Sequence, residues 1–184
     1  MIIGLCGPID YLDPLRTAIA TRISKNSIYF DELTTAFLRN NNYRYKGKTY
    51  AQYIVAKDLP SIIDMKAAFK AELMAVYPNA YTDWMAGKIS KFFYDSKEEN
   101  GSKKAQLVIP DITTVQEYKF VKSFMAPNRL KKNKIILCEV SNSTRREEHN
   151  KSYLEFDVDY KIPDYTTEKE VLQSLKKLKS DWHL

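Results

Sequence analysis

Gly7, Leu12, Asp13 and Pro14 stand at the spacing of a phosphate-cradling loop, and their chemistry runs against holding a phosphate. Such a loop curls consecutive backbone N–H groups around an anion, with glycine wherever a side chain would block the approach. A lysine then neutralises the phosphates, and the Ser or Thr after it holds Mg²⁺. If Gly7 is the first glycine, the second falls on Leu12, the lysine on Asp13 and the hydroxyl on Pro14. Leu12 places a branched side chain where backbone should meet the anion. Asp13 supplies the wrong charge, and Pro14 removes both an N–H and the metal-binding oxygen. As a helix N-cap, Asp13 would also fill the anion site of the helix with its own carboxylate. Arg16 and Thr17 are the nearest basic-hydroxyl pair, but they lie beyond the proline, inside the helix.

Other residues could meet an anion or a metal. Asp111 follows an apolar run, Leu107–Pro110, where a carboxylate could hold a metal or a hydroxyl, or could simply shape a turn. Lys66 and Lys70 are one helical turn apart, and Arg129, Lys131 and Lys132 cluster in a basic stretch that reads first as solvated surface and second as charge from a lid-like loop. Trp84 suits a core or pocket wall, with base stacking as the alternative. Histidines number 2 and cysteines 2, too few for a zinc site or a hydrolase triad of recognisable spacing. His149 and His183 sit in unrelated polar contexts, and Cys6 and Cys138 in apolar runs that suit buried thiols. A reducing, cytoplasmic setting is the expectation from this cysteine usage.

The elements that must position these residues alternate in type. Met1–Gly7 predicts a buried strand, and Asp13-Pro14 opens a helix with Leu15, Ala18, Ile19 and Ile23 on one face. Ser27–Phe30 predicts a second strand, Asp31 caps a helix through Leu38, and Asn40–Lys48 reads as a loop. Helices follow over Thr49–Lys57, from a Ser61 cap to about Val76, and over about Ala80–Tyr94. On the second of these Ile62, Met65, Phe69, Leu73 and Val76 face inward. Asp95–Lys104 reads as an exposed loop. Ala105–Pro110 predicts a strand, and Thr114-Val-Gln-Glu117 is a capping box opening a helix to about Phe124. Asn133–Val140 and Tyr160–Ile162 predict strands, with a polar stretch over Ser141–Ser152 between them. Thr167–Glu170 is a second capping box, before a helix to about Lys179 whose inner face carries Val171, Leu172, Leu175 and Leu178.

Short apolar strands alternating with helices predict an α/β fold, a parallel sheet flanked by helices on both faces. The 184 residues suit one domain, with a helical insertion at about 49–94. In such sheets ligands bind beyond the carboxyl ends of the strands. The turn after Gly7, the turn after Phe30, and Asp111 would meet there. No apolar run reaches the roughly 18–20 residues that span a bilayer, so no membrane partner is expected. Only 5 glycines argue against an extended glycine-rich loop, and a net charge of +6 permits an anionic partner.

In its order of features the chain resembles the phage-type deoxynucleoside monophosphate kinases, within the P-loop nucleotide kinases. Met1-Ile-Ile-Gly-Leu-Cys-Gly7 is similar to the family's opening strand. Asp64–Leu73 followed by Asp83-Trp84 is similar to its paired basic and tryptophan-bearing helices. Leu107-Val-Ile-Pro-Asp-Ile112 with Glu117 is similar to its strand-Asp-Arg turn and acidic helix. Ile135–Val140, Asp157–Ile162 and Thr167–Leu178 are similar to its closing strand, short strand and leucine-rich helix. The resemblance implies a P-loop kinase-like fold, with Gly7, Lys66, Lys70, Trp84 and Arg129 meeting nucleotide, and Asp111 and Arg16 nearest any catalysis. It also implies a host-cytoplasm setting for a phage-encoded chain. ATP and Mg²⁺ enter only if phosphate transfer survives. The family's arginine after the Asp is here Ile112 or Thr113, a second departure beside the degenerate loop. The expectation is therefore a non-catalytic, nucleotide-kinase-like protein that binds a nucleotide or a protein partner. The alternative is an active deoxynucleoside monophosphate kinase with a rearranged site using Arg16, Lys66, Lys70 and Arg129. A further alternative is a nucleic-acid or acidic-protein binder working through Arg129–Lys134. A homodimer is left open.

Overall fold

A computed structural model describes residues 1–7, 14–100, 105–124, 133–138, 156–162 and 168–182. Its described strands and helices run in the order β1 (Ile2–Cys6), α1 (Pro14–Ile23), α2 (Asp31–Asn40), β2 (Arg44–Tyr45), β3 (Lys48–Thr49), α3 (Tyr50–Val55), α4 (Leu59–Val76), α5 (Ala80–Asn100), β4 (Leu107–Ile109), α6 (Val115–Ser123), β5 (Lys134–Cys138), β6 (Tyr160–Ile162) and α7 (Glu168–Trp182). The chain divides into two compact units, Met1–Tyr29 with Ala86–Leu184, and Phe30–Met85.

The first unit is α/β. Its four described strands pair in parallel in the order β4-β1-β5-β6, with Gly4 of β1 aligned to Ile109 on one side and Ile135 on the other. Every residue of β1 is buried, as the unbroken apolar run Ile2-Ile3-Gly4-Leu5-Cys6 requires of a strand covered on both faces. Side chains alternate across the strand. Ile3 and Leu5 join Ile19, Ala20 and Ile23 of α1 and Leu175 and Leu178 of α7 in one cluster. On the opposite face Gly4 meets Ile112, Val121 of α6 and Ile135. A Cβ at Gly4 would lie 2.3 Å from Ile112 Cδ1 and 2.9 Å from Ile135 Cδ1, so glycine is what lets this layer close on the sheet.

The second unit is helical around Leu38, Tyr50, Tyr53, Ile62, Met65 and Phe69. Thr49 caps α3 in a reciprocal capping box with Gln52. Asp58 caps α4 by accepting the Ser61 N–H at 3.2 Å, and Pro60 falls in the first turn, where its missing N–H costs nothing.

Several expectations need correction. Ser27–Phe30 is not a strand: a single parallel bridge joins Ser27 to Val108, and Phe30 becomes the N-cap of α2. Asp31 is therefore the first helical residue rather than the cap. The cap of α4 is Asp58, three residues before Ser61, because the carboxylate reaches forward to the N–H of Ser61. The polar run Asn40–Lys48 holds a β2–β3 hairpin whose two-residue turn, Lys46-Gly47, has φ of 46° and 81°. Positive φ at both positions is the turn type that matches strand twist. A Lys at the first position hid it, since Asn or Asp is the usual signal. The helix expected to end at Tyr94 runs on to Asn100, its charged residues making (i, i+4) contacts such as Lys91 with Asp95 at 3.0 Å. Val76 is exposed instead of facing inward, at the last residue of its helix. The segments 8–13, 125–132 and 141–152, Gly101, His149, His183 and the Thr167 cap lie outside the described residues.

Asp159 ties β5 to the segment before β6. Its carboxylate accepts the Ile135 N–H at 2.8 Å and meets Lys122 at 3.0 Å and Lys134 at 3.4 Å. Burial pushes its pKa up, but the Ile135 N–H and the Lys122 ammonium outweigh that and hold it below the usual carboxylate range. A carboxyl with a depressed folded-state pKa stabilises fully above the ordinary carboxylate value, and the stabilisation drains away as pH falls towards the folded value. Asp159→Asn should therefore cost about 1–2 kcal/mol near neutrality and flatten the acid limb of a urea-stability profile. An unchanged acid limb would contradict this role. Gly4→Ala should cost about 1–3 kcal/mol by overpacking, read as a lower urea midpoint.

Candidate functional site

The carboxyl ends of β1 and β4 lie side by side in the first unit, since the two strands pair in parallel. Gly7 ends β1 with φ of 130°, a conformation that a side chain resists, so the turn leaving the strand is built on glycine. Asp111 follows Pro110 at the end of β4 and is 3% exposed. The next residue, Ile112, donates its N–H to the Leu5 carbonyl at 3.2 Å, which pins this turn to β1. Gly7 and Asp111 thus end neighbouring strands, as the alternation of elements predicts. Cys6 is buried, with its Sγ 3.5 Å from the Ile136 carbonyl oxygen, in keeping with a core thiol.

Two helices begin on the chain after these strand ends, and their N-termini are natural anion sites. At α6 that site is already filled. The Glu117 carboxylate accepts the N–H of Thr113 at 2.8 Å, the N–H of Thr114 at 3.0 Å and the Thr113 hydroxyl at 3.0 Å. Thr114 returns the contact by accepting the Glu117 N–H at 3.2 Å. Glu117 is buried, so its carboxyl group is held against the helix start. The capping box was legible in the sequence; its consequence, a helix end closed to any external anion, needed the burial.

At α1 the first helical residue is Pro14. It offers neither an N–H nor a hydroxyl. Arg16 and Thr17 are on the helix itself, within its first four residues. Leu12 and Asp13, the side chain of Arg16, and Arg129 lie outside the described residues. Judged on Pro14, the residues present do not fit the Mg²⁺ and triphosphate of a phosphate-transfer enzyme at this helix start.

The second unit holds Lys66, Lys70 and Trp84. Lys66 on α4 donates to Asp31 Oδ2 on α2 at 2.6 Å, with side-chain exposures of 12% and 18%. Thr35 donates to the same oxygen at 3.0 Å. Lys70, one turn on, places its ammonium 5.0 Å from the centre of the Tyr81 ring. The Tyr81 hydroxyl lies 2.6 Å from the Thr34 hydroxyl, both residues buried. Trp84 is half-buried on α5. Lys66 and Lys70 are thereby brought together on one polar seam with Asp31, Thr34, Thr35 and Tyr81. Sequence reasoning picked out the lysines and missed the seam, because Asp31 and Lys66 are far apart in the chain and no local pattern links them.

Among the described residues, no group of His, Cys, Asp and Glu is arranged to hold a metal ion. No described helix is long and apolar enough to cross a membrane. No family model matches the chain, and no curated protein matches it.

A mostly buried ion pair that loses one member leaves a charge without compensation. Asp31→Ala should therefore destabilise the protein by about 3–5 kcal/mol, whereas the double replacement Asp31→Leu with Lys66→Met should recover most of that. Urea unfolding of the single and double variants measures the coupling. Additive losses would show that the pair is not coupled.

Proposed function

We propose that this chain is a nucleotide-kinase-like α/β protein, built on the P-loop kinase frame of the phage-type deoxynucleoside monophosphate kinases, that binds a nucleotide or a protein partner without transferring phosphate. The frame is supported by a parallel sheet with its first strand inside it, a glycine turn at that strand's end, and a carboxylate at the end of the neighbouring strand. The loss of catalysis rests chiefly on one observation, Pro14 as the first residue of α1. A phosphate loop needs donors and a hydroxyl there, and proline supplies neither.

Two further features point the same way. Glu117 fills the start of α6 with negative charge, and Lys66 is held by Asp31. An incoming phosphate would have to displace a carboxylate from Lys66 before using its charge, and Lys meets phosphate only as a point charge. Asp111 is buried at the end of β4, next to Ile112, whose N–H is held by the Leu5 carbonyl. The setting proposed is the cytoplasm, and for a phage-encoded chain that of the host.

A coupled phosphotransfer assay with each deoxynucleoside monophosphate, ATP and Mg²⁺ tests this reading. The expected outcome is no turnover above the protein-free rate. Turnover that disappears in Asp111→Asn would overturn it in favour of an active kinase with a rearranged site. Calorimetry should show nucleotide binding, if present, unchanged by removing Mg²⁺.

A further inference from the structure

β6 is short, and of Tyr160, Lys161 and Ile162 only Ile162 is buried. It lies last in the order of the described strands and pairs with β5 over three residues. Each ladder hydrogen bond adds little net stability, so three pairs hold the strand weakly. The chain entering β6 is gripped from the side instead. Phe156 is buried, and its ring stacks on Tyr118 of α6, with centroids 4.4 Å apart and planes 6° from parallel. The Tyr118 hydroxyl donates to the Asp157 carbonyl and accepts the Asp157 N–H, each at 3.1 Å. One phenol thus does for Asp157 what the backbone of a neighbouring strand would do.

One turn on, the Lys122 ammonium donates to the Asp157 carbonyl at 3.2 Å and to the Asp159 carboxylate at 3.0 Å. Asp159 passes the hold on to β5. Its carboxylate accepts the Ile135 N–H, and its own N–H donates to the Ile135 carbonyl, both at 2.8 Å. From the other side, α7 contributes a long bond from the Tyr160 hydroxyl to the Ser174 carbonyl, at 3.5 Å, and an edge-on contact between the Tyr160 and Trp182 rings. The contacts from α6 all fall on Phe156, Asp157 and Asp159, before the ladder begins at Tyr160.

We infer that Phe156–Ile162 is a strap, latched to α6 by Tyr118 and Lys122, that opens and closes as one unit while β4, β1 and β5 stay paired. Proteins open locally in contiguous cooperative pieces, and the piece with the fewest buried apolar side chains opens first. Every residue of β1 is buried, whereas the strap is anchored in the core by Phe156 at one end and Ile162 at the other. Its middle is held by polar contacts that water can replace. An open strap leaves β5 as the outermost of the described strands and uncovers the Tyr118 ring. The inference is independent of the function proposed above and needs neither a nucleotide nor a partner.

Hydrogen exchange of the full chain, followed by NMR across low urea concentrations, tests the strap. The protected amides between Asp157 and Ile162 should exchange through one shared opening, with a smaller urea dependence than those of Ile3 and Leu5. Tyr118→Phe keeps the ring stack and removes both hydroxyl bonds, so it should speed the whole set by about tenfold. Lys122→Met should act in the same direction. Ile109→Val, in β4, should speed exchange in β1 and leave the set unchanged, because β4 and β1 remain paired when the strap is open. Acceleration by Tyr118→Phe confined to the Asp157 amide would overturn the proposal. So would exchange of the set only through the opening that also releases β1, a result the unaltered chain gives by itself should a variant fail to fold.

Discussion

Everything at the carboxyl end of the sheet depends on the missing side chain at Gly4. Ile112 Cδ1 occupies the space a Cβ would need, at 2.3 Å from its ideal position. The Ile112 N–H also reaches the Leu5 carbonyl, at 3.2 Å. It brings the turn after β4 against β1 and sets Asp111 and Glu117 where they are. A methyl group at Gly4 would force the ends of the Ile112 and Ile135 side chains to shift. The position is one where backbone strain is not the issue; space is.

Polar groups in both units are committed internally. Glu117 satisfies three donors at one helix start, and Asp31 satisfies Lys66 and Thr35. Buried charges that find partners stiffen a fold, and they leave little for a ligand to exploit without displacement. An enzyme that moves phosphate holds donors ready for charge that appears only in the transition state. Here the Asp31 and Lys66 charges meet each other, and the Glu117 carboxylate meets the N–H groups of its own helix start.

The sequence was most legible where local chemistry decides. The all-apolar run Ile2–Cys6 foretold a doubly covered strand, and Thr114 with Glu117 foretold the start of α6. Pro14 foretold the start of α1. It was least legible where a distant partner decides. Ser27–Ile28 has strand-like residues, yet only one bridge forms, from Ser27 to Val108. The β2–β3 hairpin was hidden by a lysine at a position with positive φ. The Asp31–Lys66 pair links two helices whose approach no periodicity predicts. Asp111 was legible as the end of a strand, while its burial was not, since burial belongs to Gly4 and Ile112 as much as to Asp111 itself.

The bridge at Ser27 has a value beyond its size. The Val108 N–H donates to the Asn26 carbonyl at 2.9 Å, and the Val108 carbonyl accepts the Ile28 N–H at 3.0 Å. The middle of an outermost strand therefore has no donor or acceptor left over for a strand from a neighbouring molecule. A few residues of irregular chain act as a selvedge along that one edge, and they do so without the length that a full strand would demand.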